Sequence, residues 1–375
     1  MMRSRKAKNL IGFAAGILWF ELAISPTEAA FSSIHIFGDS VSTTTNNASP
    51  YPSATNYFGR RFSNGRVWVE VLAQRQGLPN NTITNADWSF SSNNWSYWGN
   101  YSSNVVKSLT NFPAPPEASN ALFVVWVCDA DIVYDVSNYS TNLAQWTSAI
   151  NLSLTNHFKI ITNLYAKGAR TLIMPNAVDI SAVPLYRNYP AATNGFLRQR
   201  VMDFNTAFTV VLNSAMVLYP ELKIYEPDFF GLLDQMLTNA AAFGLTNAGT
   251  YALNQNPPYL FKNLSMTGPG ANFIWWDNQD PTAKAHAVMA DVAQQLISPV
   301  QITNITVLED DCHLGVASLP IGLDGFVDGC TSLSPWNWIA VANVASTNAT
   351  QTISLPASGP LWFYRLRFPY AWSWP

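Results

Sequence analysis

Four short apolar runs constrain this chain more than any other feature: Ile34–Phe37, Leu122–Val127, Thr171–Met174 and Lys223–Tyr225. Each is closed by a polar residue, a glycine, a proline or a cysteine, which predicts strands. Between them lie amphipathic stretches around Val67–Gln76, Leu143–Lys167 and Phe196–Leu218. Strand and helix in alternation predict a parallel sheet with helices on both faces, since parallel neighbours need a crossover that packs onto the sheet. Gly168-Ala169-Arg170 supplies one of the expected helix-to-strand connections. In such sheets ligands bind beyond the C-terminal ends of the strands, so the residues that follow each apolar run matter most.

The rhythm breaks twice. Residues 241–272 are rich in Asn, Pro and Gly, with Tyr251, Tyr259 and Phe261 interspersed. A loop of that length is more often functional than idle, and it is read as a wall or lid of a cleft. After Ser298-Pro299 the pattern becomes short alternating strands: Gln301–Leu308, His313–Ser318, Trp338–Val344, Thr350–Leu355 and Leu361–Phe368. Turn residues between them predict a small C-terminal β-sandwich. The expected division is therefore an α/β unit over 31–298 and a β module over 299–375.

Residues 1–30 read as a secretory signal. A basic stretch from Arg3 to Lys8 precedes the apolar run Leu10–Phe20, and Thr27-Glu28-Ala29-Ala30 ends it with small residues. An uncleaved anchor is the alternative, because Glu21 departs from the pattern. The apolar run is shorter than the ~20 residues that a bilayer span needs, so a secreted protein without a stable membrane span is expected. The net charge of −3 offers no basic field for nucleic acid. Among the three cysteines, Cys312 and Cys330 are candidates for a bridge in an exported chain. Cys128 ends an apolar run and is expected as a buried thiol.

The first strand runs directly into Gly38-Asp39-Ser40, which sets a hydroxyl at a strand's C-terminal end. A serine becomes a nucleophile only when a base takes its proton and donors hold the oxyanion. Far along the chain, Trp276-Asp277-Asn278-Gln279-Asp280-Pro281-Thr282 places two carboxylates before a helix start. Ser40 as a mere cap of the following turn is the structural alternative.

These two segments resemble the first and last conserved blocks of the GDSL/SGNH family of serine esterases and lipases. The resemblance covers roughly residues 31–298 and implies a flavodoxin-like three-layer α/β/α fold. It implies Ser40 as nucleophile, with its own backbone and Gly99 on the oxyanion. The third block matches only at Asp131, since Cys128 and Ala130 stand where the family has Gly and Asn. Loss of one such oxyanion donor costs about 3 kcal/mol of transition-state stabilisation. Asp131 and Trp98 are taken as substrate-binding. In the last block Asp277, Pro281 and Thr282 fit, but Asp280 occupies the position of the catalytic histidine.

The resemblance implies a secreted hydrolase of acyl or acetyl esters on lipid or carbohydrate, with neither cofactor nor metal. Three readings of the proton chemistry stay open. Asp280 acts as base in an acidic, desolvated cleft; or His286, about 9 Å of helical rise from Asp280, takes that role; or the fold is a non-catalytic, extracellular carbohydrate-binding protein. The other histidines are His35 on the first strand, His157 in a helix pattern and His313 in the β module.

Overall fold

The computed structural model describes residues 31–44, 56–59, 61–78, 93–139, 141–254, 268, 270–308, 311–332, 337–356 and 362–368. The leader read at 1–30, Tyr259 and Phe261 lie outside them.

The α/β unit runs β1 (Ile34–Gly38), α1 (Trp68–Arg75), α2 (Ser102–Asn111), β2 (Leu122–Trp126), α3 (Cys128–Tyr139), α4 (Leu143–Ala166) and β3 (Thr171–Ile173). It continues with α5 (Ala191–Leu218), β4 (Lys223–Tyr225), α6 (Phe229–Thr238), β5 (Asn247–Tyr251), β6 (Phe273–Trp275) and α7 (Ala283–Ile297). The four strands β1-β2-β3-β4 lie side by side in that order, all parallel. Every residue of β1 and β2 is buried, as expected for strands covered on both faces.

On the free side of β1 the chain at Asn94–Tyr97 runs alongside it. Trp95 N–H donates to Ile36 O at 2.8 Å, and a parallel bridge joins Ile36 and Asn94. The connections on the two sides of β1 therefore leave in opposite directions, which opens a crevice at the end of that strand. Ser40 sits there. Helix α1 packs on α7, and α4 packs on α2, α3 and α5, giving the α/β/α layering.

Helix α5 is long and apolar enough by composition to cross a membrane. Its stripe Leu197, Val201, Phe204, Phe208 and Leu212 is nevertheless buried, and Phe204 and Phe208 pack around His157 of α4. Three helices escaped the pattern reading: α2, α3 and α6. Asp228 starts α6 by accepting Gly231 N–H at 2.9 Å. The break at 241–272 contains β5, which pairs in parallel with β6.

Beyond α7 the strands are β7 (Gln301–Leu308), β8 (Asp311–Ala317), β9 (Gly325–Cys330), β10 (Ile339–Val344), β11 (Gln351–Pro356) and β12 (Phe363–Arg367). They form two antiparallel three-stranded sheets, β11-β8-β7 and β10-β9-β12. Leu314, Val316 and Leu355 from one sheet and Val327, Val344 and Leu366 from the other make a single hydrophobic cluster, distinct from that of the α/β unit. The expected Cys312–Cys330 bridge is absent, and both thiols are free and buried. Cys312 belongs to β8 and Cys330 to β9, which lie in different sheets.

Buried ion pairs fasten the layers. Arg61 and Glu70 meet at 2.6 Å with neither side chain exposed, and Glu70 also accepts Val67 N–H at the start of α1. Arg75 of α1 pairs with Asp291 of α7 at 2.8 Å and donates to Ile321 O of the β module at 3.2 Å.

Candidate active site

Strand β1 delivers its serine through a tight approach. A Cβ at Gly38 would lie 2.7 Å from Ser42 Cβ and 2.9 Å from Ser96 Oγ, so only glycine fits. Asp39 then caps a single 3-10 turn over Ser40–Ser42, accepting Val41 N–H at 3.1 Å. Ser42 is locked by Trp68 Nε1 at 2.9 Å. This leaves Ser40 half-buried at the sheet edge.

The loop after β6 brings the carboxylates. Ser40 Oγ donates to Asp280 Oδ1 at 3.1 Å across 240 residues. Asp277 Oδ1 accepts the N–H groups of Gln279 and Asp280 at 2.8 and 2.7 Å, and Tyr57 OH donates to its Oδ2 at 2.7 Å. The Asp280 and Asp277 carboxyls also share a side-chain hydrogen bond. Thr282 caps α7 by accepting Ala285 N–H, which fixes the end of the loop.

Burial raises the Asp280 carboxyl well above the usual range, and the negative charges of Asp277 and Asp39 push the same way. Burial also raises Asp277, but its hydrogen bonds from Asp280, Gln279 and Tyr57 oppose the rise. The proton of the pair therefore resides on Asp280 and the charge on Asp277. Asp39 is pushed up to about 7, chiefly by burial. Asp129, whose Oδ1 accepts Val178 N–H at 3.0 Å, is raised by burial and by Asp39. None of these four carboxyls has a cationic partner among the described residues.

A cavity of about 150 Å³ opens beside Ser40 and Asp280. Its inner wall is apolar, with Val133, Ile180, Leu232 and Met236, while Trp98 stands at the rim, 45% exposed. Gly99 lines it with φ +76° and no atom within 4 Å of a would-be Cβ; this left-handed backbone favours glycine. Ala130 also lines the cavity, with no side-chain donor to offer. Trp95 packs on Phe37 and Phe112. None of the described residues of 241–272 lines this cavity, whereas Ile274 and Trp275 of β6 do.

A match to the model of the GDSL-like lipase/acylhydrolase family spans residues 34–293. The chain belongs to that family. Relatives of this GDSL hydrolase include acetylajmalan esterase 2 of Rauvolfia serpentina, 26% identical over 68% of this chain and 87% of the relative. Another is the thermolabile hemolysin of Vibrio parahaemolyticus, 20% identical over 76% of this chain and 68% of the relative. Among solved structures, a catalytic variant of an acetylxylan esterase from Geobacillus stearothermophilus aligns over 71% of this chain and 94% of its own, at 11% identity and a TM-score of 0.40.

Within the GDSL frame the histidines are the main correction to expectation. His286 is fully buried on α7, neither ring nitrogen has a hydrogen-bond partner among the described residues, and burial lowers its pKa to about 3. It has no hydrogen bond to Ser40 and does not line the cavity. His35 bonds Ser33, His157 bonds Ser153 and His313 bonds Ser354. Asp131 is likewise displaced from the expected cleft. It lies within α3, accepting Ser102 N–H at 3.0 Å and the Ser153 hydroxyl. Two contributors escaped the sequence reading, Tyr57 and Asp39. Tyr57 reaches its partner across 220 residues, a contact with no local signal. Asp39 was visible in Gly-Asp-Ser, but its electrostatic influence follows from burial alone.

Proposed function

We propose that the chain is a secreted serine hydrolase of short acyl or acetyl esters on lipid or carbohydrate, in which a carboxylic acid replaces the catalytic imidazole as a relay. The observation that carries this reading is the Ser40–Asp280–Asp277 hydrogen-bond chain. A neutral imidazole accepts a proton on one atom and donates from another. A protonated carboxyl does the same, accepting at Oδ1 and donating from its hydroxyl. When Ser40 Oγ attacks the ester carbonyl, its proton passes to Asp280 Oδ1 while Asp280 gives its own to Asp277. The tetrahedral oxyanion takes the backbone N–H groups of Ser40 and Gly99. Collapse returns a proton through the chain to the leaving alkoxide, and water then releases the acyl group by the reverse path. The apolar cavity wall favours an acyl chain, and Trp98 at the rim suits a sugar or aromatic face.

Hydrolysis of p-nitrophenyl acetate tests the scheme. Ser40→Ala is expected to abolish turnover, and Asp280→His to raise it near pH 7 by setting an imidazole beside Asp277. Turnover undiminished in Ser40→Ala sinks the hydrolase reading. No turnover by the wild-type protein leaves the carbohydrate-binding alternative, favoured by the missing oxyanion side chain at Ala130.

A further inference from the structure

A second cavity, of about 380 Å³, lies next to the first and is lined by Tyr101 and Ser102 at the start of α2, Asp131, Tyr134 and Asp135 of α3, and Ser153 of α4. Asp131 and Asp135 are one helical turn apart and so share a face. Their situations differ. Both oxygens of Asp131 are engaged, by Ser102 N–H and the Ser153 hydroxyl. Asp135 is only 5% exposed, yet it has neither a hydrogen bond nor an ion pair among the described residues. A buried carboxylate without a partner is costly, and burial together with Asp131 pushes it up to about 7. Beside it the rings of Tyr101 and Tyr134 meet edge to face, centroids 5.4 Å apart. Tyr134 is 45% exposed, so the aromatic wall is accessible from solvent.

We propose that this cavity binds an organic ammonium group, its charge set against Asp135 and Asp131 and its alkyl substituents against Tyr101 and Tyr134. Aromatic faces attract desolvated cations, and alkylated ammonium ions suit such walls. A bare metal ion fits poorly. No group of three or more His, Cys, Asp or Glu side chains able to hold one occurs among the described residues, and the space is many times the ~30 Å³ of a single water. Tyr101 lines both cavities, so an ester carrying a cationic group can lodge that group beyond Tyr101 with its carbonyl at Ser40. This extension to substrates rests on the hydrolase reading; the binding itself does not.

Calorimetric titration of the full chain with choline, beside its uncharged isostere 3,3-dimethylbutan-1-ol, tests the proposal. Choline is expected to bind at one site at least tenfold more tightly than the alcohol, and Asp135→Asn to weaken choline at least tenfold. Asp135 has no partner to lose, so the variant should fold; Tyr134→Ala, at an exposed position, should weaken choline as well. Equal affinity for the two probes, or choline affinity unchanged in Asp135→Asn or in Tyr134→Ala, overturns the subsite. Wild-type turnover of p-nitrophenyl acetate, measured beside the titrations, keeps the two ideas separate. A wild-type protein that is inactive yet prefers choline defeats only the hydrolase reading, and one that is active but binds choline without regard to Asp135 defeats only this one.

Discussion

Replacing Asp277 by asparagine separates two ways in which paired carboxyls can activate a serine. The exchange is nearly isosteric. The asparagine Oδ1 keeps the N–H bonds from Gln279 and Asp280, and its amide faces the Tyr57 hydroxyl, which can turn to accept. The loop should therefore hold its shape while the final proton acceptor disappears. In the relay, Asp280 can take the Ser40 proton only by releasing its own, so kcat/KM should fall by the ~10²–10⁴ typical of lost general-base catalysis. At 1.36 kcal/mol per decade this is roughly 3–5 kcal/mol. If Asp280 instead worked alone as an ionised base, the change would help. The Asp277 charge is one cause of the raised Asp280 pKa, and its removal would leave more carboxylate at pH 7. Initial rates on p-nitrophenyl acetate decide between them, with urea denaturation to show that the variant is folded. Activity retained or increased in folded Asp277→Asn refutes the relay.

The acidic sheet edge should also be visible in stability. Asp39 is raised by burial to about 7 in the folded protein, so the native state binds more protons than the unfolded chain between roughly pH 4 and 7. Stability is fully present below that window and declines as pH rises through it; Tm measured from pH 4 to 8 should fall, and Asp39→Asn should flatten the slope. A Tm that climbs across the window contradicts the assignment. Separately, Arg61→Ala strands Glu70 as a buried, unpaired charge at the start of α1, and a loss of about 3–5 kcal/mol is expected in urea denaturation. A loss below about 1 kcal/mol, the value of an exposed pair, would show that Glu70 finds water.

The strands β1 and β2 were legible because each is an uninterrupted apolar run that needs no partner to be recognised. Helix α4 was legible from its long amphipathic period. Helix α3 was hidden because Cys128-Asp129-Ala130-Asp131 follows a strand directly and reads as a loop carrying functional acids. Strand β9 was hidden by Gly325 and Gly329, which resemble turn residues; the second is packed against Trp362. At the site, sequence placed Ser40, Asp277 and Asp280 in one frame. It could not say which carboxyl holds the proton, because that depends on hydrogen bonds from Tyr57 and two backbone N–H groups. Nor could it dispose of His286, whose exclusion follows from complete burial on α7.

The tie made by Arg75 bears on how such chains can diversify. Its guanidinium is shared between Asp291 inside the α/β unit and the Ile321 carbonyl of the appended sheets, and the Ile321 N–H returns a bond to the Arg75 carbonyl. A recombination event that exchanged the tail after residue 298 would leave this arginine short of an acceptor and its carbonyl short of a donor. The C-terminal sheets are thus not freely interchangeable cargo: any replacement must present a carbonyl and an N–H at the same place, which narrows the set of tails this catalytic unit can accept.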